Sequence, residues 1–120
     1  MDLGKVLDQT QEIMKKERVV HLNDKLRIEG KGGQVICTSG VFSSGKYEQI
    51  INEVRNFNNF NEDNDPYGEH DFGKVTVDGE DYFFKIDYYD PTVTCIFPSP
   101  DKSDANVTRR VMTIMKSEEY

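Results

Sequence analysis

The sequence predicts an α+β domain: a largely antiparallel sheet of about four strands with helices packed on one face. Three observations predict it. Apolar residues recur at helical spacing in the first half of the chain, at Leu3, Val6, Leu7, Ile13 and Met14 and again from Tyr47 to Phe60. The second half holds β-branched and aromatic runs bounded by turn residues. Asp78-Gly79, a dipeptide suited to a tight hairpin, stands between two of those runs. The 120 residues can bury about two-thirds of the unfolded surface, so no disulfide or metal staple is required. The expected division is an N-terminal amphipathic helix over 1–20 and a single α+β domain over 21–120.

The first helix is expected from Asp2 to Glu17. Its apolar stripe is narrow, and Lys5, Asp8, Glu12, Lys15 and Lys16 form a solvated face. Leu22, Leu26 and Ile28 suggest a second, short helix starting near Asn23 and Asp24 and stopped at Gly30-Lys31-Gly32-Gly33. That glycine turn follows a helix and precedes a strand, the reverse of a phosphate-binding loop. Gln34 to Thr38 reads as a buried strand. Ser39 to Gly45 turns the chain, and a core helix is expected from Lys46 to Phe60. Lys74–Val77 and Asp81–Tyr89 should pair antiparallel across Asp78-Gly79. Thr92–Phe97 reads as a short edge strand. Val107 to Lys116 reads as a strand because Val, Thr and Ile dominate its centre.

Charge narrows the function classes. The formal net charge is −7, which opposes ordinary nucleic-acid binding, since phosphates are bound by Lys and Arg surfaces. From Glu62 to Asp90, ten acids face only Lys74 and Lys85, a local balance of −8 that leaves +1 for the rest. No apolar run approaches a membrane span and no apolar leader is visible, so no membrane partner is expected and the chain is expected in the host cytoplasm. Cys37 and Cys95 are expected to be small buried hydrophobes.

The densest group of chemistry-bearing residues is Asn64 to Gly73 (NDPYGEHDFG). Asp65, Glu69, His70 and Asp71, together with Asp87, Tyr88 and Tyr89 on the following strand, are expected to form a partner-binding surface of acids beside aromatic rings. No catalytic residue, metal ligand or cofactor is assigned. The alternative is a small hydrolase or metal-dependent enzyme using His70 with Glu69, Asp71 or Asp65. A third reading is DNA mimicry by spaced carboxylates. His21 is expected to be an ordinary surface or half-buried histidine. Arg109-Arg110 are expected to balance the acidic segment.

Several segments together resemble one family. They are Leu22-Asn23-Asp24 with Arg27, then GQVICTSG from Gly33, NDPYGEHDFG from Asn64, KIDYYD from Lys85, and Thr108-Arg109-Arg110-Val111 through to the Glu-Glu-Tyr end. The family is a domain of unknown function known mainly from bacterial plasmids, prophages and other mobile elements, and the resemblance spans Leu22 to Tyr120. It implies a small intracellular protein of mobile DNA and brings no reaction. In size, acidity and family context the chain also resembles small anti-defence proteins of Bacillus prophages that bind and block a Sir2-domain NADase. That resemblance implies a larger bacterial protein as partner, with no small-molecule substrate.

Overall fold

The computed structural model describes residues 3–92 and 97–120. Helix α1 runs from Leu3 to Glu29, followed by strand β1 (Gln34–Cys37), the short helix α2 (Ser39–Ser43) and helix α3 (Tyr47–Arg55). Strands β2 (Phe72–Val77), β3 (Glu80–Tyr89) and β4 (Arg109–Lys116) follow, with single 3₁₀ turns at Ala105–Val107 and Ser117–Glu119. The sheet order is β1-β4-β3-β2. Both β2–β3 and β3–β4 are antiparallel, and only β1–β4 is parallel. The α+β class and the mostly antiparallel four-stranded sheet are therefore as the sequence predicts.

The core lies between one face of the sheet and the helices. Leu26 of α1, Val41 of α2, and Ile50 and Val54 of α3 meet Val75, Val77, Tyr82, Phe84, Ile86, Met112 and Ile114 of the sheet. Alternation along β3 explains which residues enter, since Tyr82, Phe84 and Ile86 are buried while their neighbours are half-exposed. Asp78 and Gly79 both adopt positive φ, 51° and 82°, as the two-residue hairpin turn requires. On the opposite face, the rings of Phe72, Phe83 and Tyr120 pack against one another with centroids 5.3 to 5.9 Å apart.

Four expectations change. The two N-terminal helices are one, because no breaker separates Glu17 from Asn23, and the helix stops only where Gly30 turns to φ 71° and its N–H bonds the Leu26 carbonyl. Strand β1 is not buried: it is a sheet edge, with Val35 and Ile36 40% and 47% exposed. Helix α3 ends at Arg55 instead of Phe60. Beyond it, Phe57 and Phe60 still reach the core in non-helical backbone, packing edge-to-face on each other and on Phe84. Cys37 is half-buried, and burial pushes its thiol above the usual range. Most of the expected edge strand Thr92–Phe97, Cys95 included, lies outside the described residues. No described helix is long and apolar enough to cross a membrane.

Candidate functional site

The C-terminal third of α1 builds the site. Asn23, Leu26 and Arg27 fall on one helical face, and all three are buried. Arg27 closes the C-terminus of α3: its Nη1 donates to the carbonyls of Val54 (3.1 Å), Arg55 (3.1 Å) and Phe57 (2.8 Å). Carbonyls at a helix end lack intrahelical partners, so a cation from another helix supplements the local bond from the Phe57 N–H to the Val54 carbonyl. Its Nη2 holds Asp24 Oδ1 at 3.1 Å.

The loop from Asn61 is folded by its own side chains. Asn61 Oδ1 accepts from the N–H of Asp63 and Asn64, and Asn64 Nδ2 donates to the Asn59 carbonyl. Asp65 is buried, and its two carboxylate oxygens take the N–H groups of Glu69 (2.8 Å) and His70 (3.1 Å). That clamp holds His70 at φ 57°, a left-handed backbone for a residue with a Cβ.

His70 then faces α1. Its Nδ1 lies 3.0 Å from Asp24 Oδ1, and its ring stacks on Phe60 with centroids 4.0 Å apart and planes within 5°. Glu69 and Asp71, on either side of that left-handed residue, turn elsewhere. The Glu69 carboxylate pairs with Lys102 Nζ, and its carbonyl accepts from Asn23 Nδ2 at 2.9 Å. Asp71 Oδ2 accepts from the Tyr88 hydroxyl at 3.1 Å.

A second polar chain runs beneath. Asn23 Nδ2 also donates to the Tyr88 oxygen at 2.7 Å, and Asn23 Oδ1 accepts from Arg110 Nε at 2.7 Å. Arg110 is fully buried, donates through Nη2 to the Lys102 carbonyl, and lies 5.2 Å from the Tyr88 ring centroid. Burial pushes the Asp71 carboxyl and the Tyr88 phenol up, the latter also through the Asp71 charge, and pulls the Arg110 guanidinium down.

Of the seven residues expected to form the recognition surface, Asp65, Glu69, His70, Asp71 and Tyr88 come together. Much of that group is internal: Asp65 and Glu69 are buried, and Tyr88 spends its hydroxyl on Asn23 and Asp71. Asp87 and Tyr89 alternate to the other face of β3, where Asp87 meets Lys85 Nζ at 3.3 Å. Further acids of the Glu62–Asp90 segment also have partners, with Asp78 on Lys46 and Glu80 on Lys116. Arg110 bonds amide and carbonyl oxygens in place of the expected carboxylate. His21 is exposed.

The metal grouping of the alternative reading, Asp65, Glu69, His70 and Asp71, does not converge. Among the described residues, no three His, Cys, Asp or Glu side chains are arranged to hold an ion. Reading local sequence missed Asn23, Asp24, Arg27 and Arg110 as members of the site. The available signal was a polar pair at i, i+4, Asn23 and Arg27, each directly following an apolar residue, Leu22 and Leu26, on a helix.

The family model for proteins of unknown function DUF3768 matches residues 37–119. The chain belongs to this family. No curated protein and no solved structure matches it. The matched DUF3768 segment supplies Asp65, Glu69, His70, Asp71, Tyr88 and Arg110, while Asn23, Asp24 and Arg27 come from the helix that precedes it. The DUF3768 family carries no assigned reaction, so the chemistry open to this site is what its own groups provide. These are a carboxylate–imidazole pair at the surface and a buried, nearly saturated polar network beneath.

Proposed function

We propose that this DUF3768 protein is a non-enzymatic binding protein of phage or mobile-element origin, acting in the host cytoplasm by occupying a larger bacterial defence protein. A Sir2-type NADase is the specific partner class. The observation that carries the reading is the free half of α1. Every residue from Leu3 to Arg18 is exposed, including Leu3 at 71% and Ile13 at 60%, with Leu7 and Met14 close behind.

Helical geometry sharpens this. At 3.6 residues per turn, Leu3, Val6, Leu7, Ile13 and Met14 form one stripe, roughly opposite the buried face of Val19, Asn23 and Leu26. The stripe therefore points away from the chain's own domain except at Ile13, which borders a groove that Gly68 of the motif loop also lines. The side facing the domain carries Lys5, Glu12 and Lys16. Full burial of such side chains is worth about 1.5–3 kcal/mol each. These five are partly covered already, so docking them would contribute roughly 5 kcal/mol in total. Association costs on the order of 4–15 kcal/mol, so the arm supplies one part of a larger interface that includes the domain.

The His-based hydrolase reading is weaker. Asp24 would orient the imidazole well, but among the described residues no hydroxyl or thiol is hydrogen-bonded to His70.

Capture of the tagged protein from host cells tests the proposal. The wild type should retain a large partner in near-equimolar amount, and a Sir2-type NADase should lose activity on adding one equivalent. Replacing Leu7, Ile13 and Met14 together with Gln should abolish both effects while circular dichroism stays unchanged. Equal capture by the triple variant would sink the reading.

A further inference from the structure

The cleft beside His70 is a feature the binding reading leaves unused. An open cleft of ≈ 490 Å³ lies where α1, the end of α3 and the motif loop meet, walled by Asp24, Arg55, Asn56, Asn58, Phe60 and His70 among others. We infer that it is a binding site for a phosphate monoester, held as a ligand and not as a substrate.

The imidazole is fixed more firmly than packing alone requires. Its backbone N–H is held by Asp65, its ring lies flat on Phe60, and Nδ1 meets Asp24, itself gripped by Arg27. A left-handed backbone is cheapest for Gly or Asn. Here it carries a histidine, and strain of this kind clusters at ligand sites. A carboxylate can only accept, so the proton of the Nδ1 bond belongs to the ring. In the neutral imidazole Nε2 then carries the lone pair. Among the described residues Nε2 has no hydrogen-bond partner, although the ring is only 31% exposed.

Arg55 supplies the complementary group. Its side chain is exposed at the cleft, and its guanidinium makes no ion pair among the described residues. Because Arg27 already neutralises Asp24 and is spent on the α3 carbonyls, Arg55 is the guanidinium the cleft leaves open to a ligand, in a chain of net charge −7. Asn58 adds an amide to the cleft wall, while the Asn56 Nδ2 donates to Asn52 Oδ1. The combination calls for a ligand that is anionic yet donates one hydrogen bond. A phosphate monoester in its singly protonated form does both: the anionic oxygens face Arg55 and the P–OH donates to Nε2.

Nuclear magnetic resonance on the full chain tests this with inorganic phosphate, phenyl phosphate and phenyl sulfate as probes. Both phosphates should move the His70 Nε2 and Arg55 side-chain nitrogen resonances in a saturable manner. Phenyl sulfate, which has no acidic hydroxyl, should bind at least about tenfold more weakly, since the hydrogen bond to Nε2 is lost and that nitrogen is left facing an acceptor. Arg55→Gln and His70→Asn should each abolish the response. Asn tolerates the left-handed backbone, and circular dichroism checks the fold. No movement at His70, an unchanged titration in Arg55→Gln, or equal binding of phenyl sulfate would each overturn the inference.

Discussion

Arg110 Nε donates to Asn23 Oδ1 at 2.7 Å, tying the inner strand β4 to α1 across 87 residues of sequence. Asn23 also donates to the Glu69 carbonyl and the Tyr88 oxygen, so one fully buried amide satisfies three elements. Asn23→Ala strands a buried guanidinium and a carbonyl, and should cost about 3 kcal/mol. Urea denaturation measures it. A loss below about 1 kcal/mol would mean that water replaces the amide.

Two carboxylates should respond to pH with opposite sign. Burial raises Asp71 above its ordinary 3.8, so the folded state binds its proton more tightly than the unfolded chain. Ionised Asp71 therefore costs stability at neutral pH, and the cost fades as pH falls through the folded value toward 3.8. Asp71→Asn, which keeps an acceptor for Tyr88, should raise the urea midpoint at pH 7, with the gain vanishing in acid.

Glu119 runs the other way. Bonds from Thr38 Oγ1 (2.6 Å) and the N–H groups of Lys116 and Gly40 hold its carboxyl below the ordinary 4.5. Its contribution is present above 4.5 and is lost as pH falls through the lower folded value. Glu119→Gln should lower the midpoint at pH 7 and converge with the wild type in acid. Parallel pH profiles for the Asp71 and Glu119 variants would contradict the assignment.

Gly73 and Gly79 should differ under the same substitution. A Cβ at Gly73 would meet Phe84 at 2.5 Å and Phe57 at 2.8 Å, inside a packed ring cluster. A Cβ at Gly79 meets nothing within 4 Å, so only its φ of 82° is strained. Gly79→Ala should cost about 1–2 kcal/mol, and Gly73→Ala about 3 kcal/mol as overpacking displaces core rings. Thermal denaturation ranks them, and a reversed order would refute the packing account.

Shortening α1 should separate fold from binding. None of residues 3–18 is buried, so a chain beginning at Val19 should keep its thermal midpoint within a few degrees, as expected for a change below about 1 kcal/mol. A large drop would show that the arm supports the domain.

Local chemistry was legible where it was self-sufficient. Asp78-Gly79 announces its hairpin because the turn's backbone angles are set by those two residues. The Val, Thr and Ile of β4 announce a strand because β-branching favours the pleat. The sequence overstates the length of α3 because Phe57 and Phe60 keep a three-residue spacing while leaving the helix, whose end is closed by Arg27 from elsewhere. The site was half legible: NDPYGEHDFG marks the loop, yet the partner of His70 lies 46 residues away. Its sequence neighbours, the obvious candidates, are turned to Lys102 and Tyr88. Burial of β1 was overestimated because apolar composition does not reveal whether a strand has a neighbour on both sides.

The sheet order has a consequence for how the chain acquires its structure. The last strand in sequence occupies an interior place, between β1 and β3. Until β4 exists, β1 has no strand to pair with and Asn23 has no guanidinium to receive. A ribosome releasing this protein holds an α1, a β1 and a β2–β3 hairpin that cannot yet be joined, so the domain closes in one late step. Such long-range closure is slow. During that interval the edge of β1 that β4 later covers is open to whatever the nascent chain meets first, as the apolar stripe of α1 is even after closure.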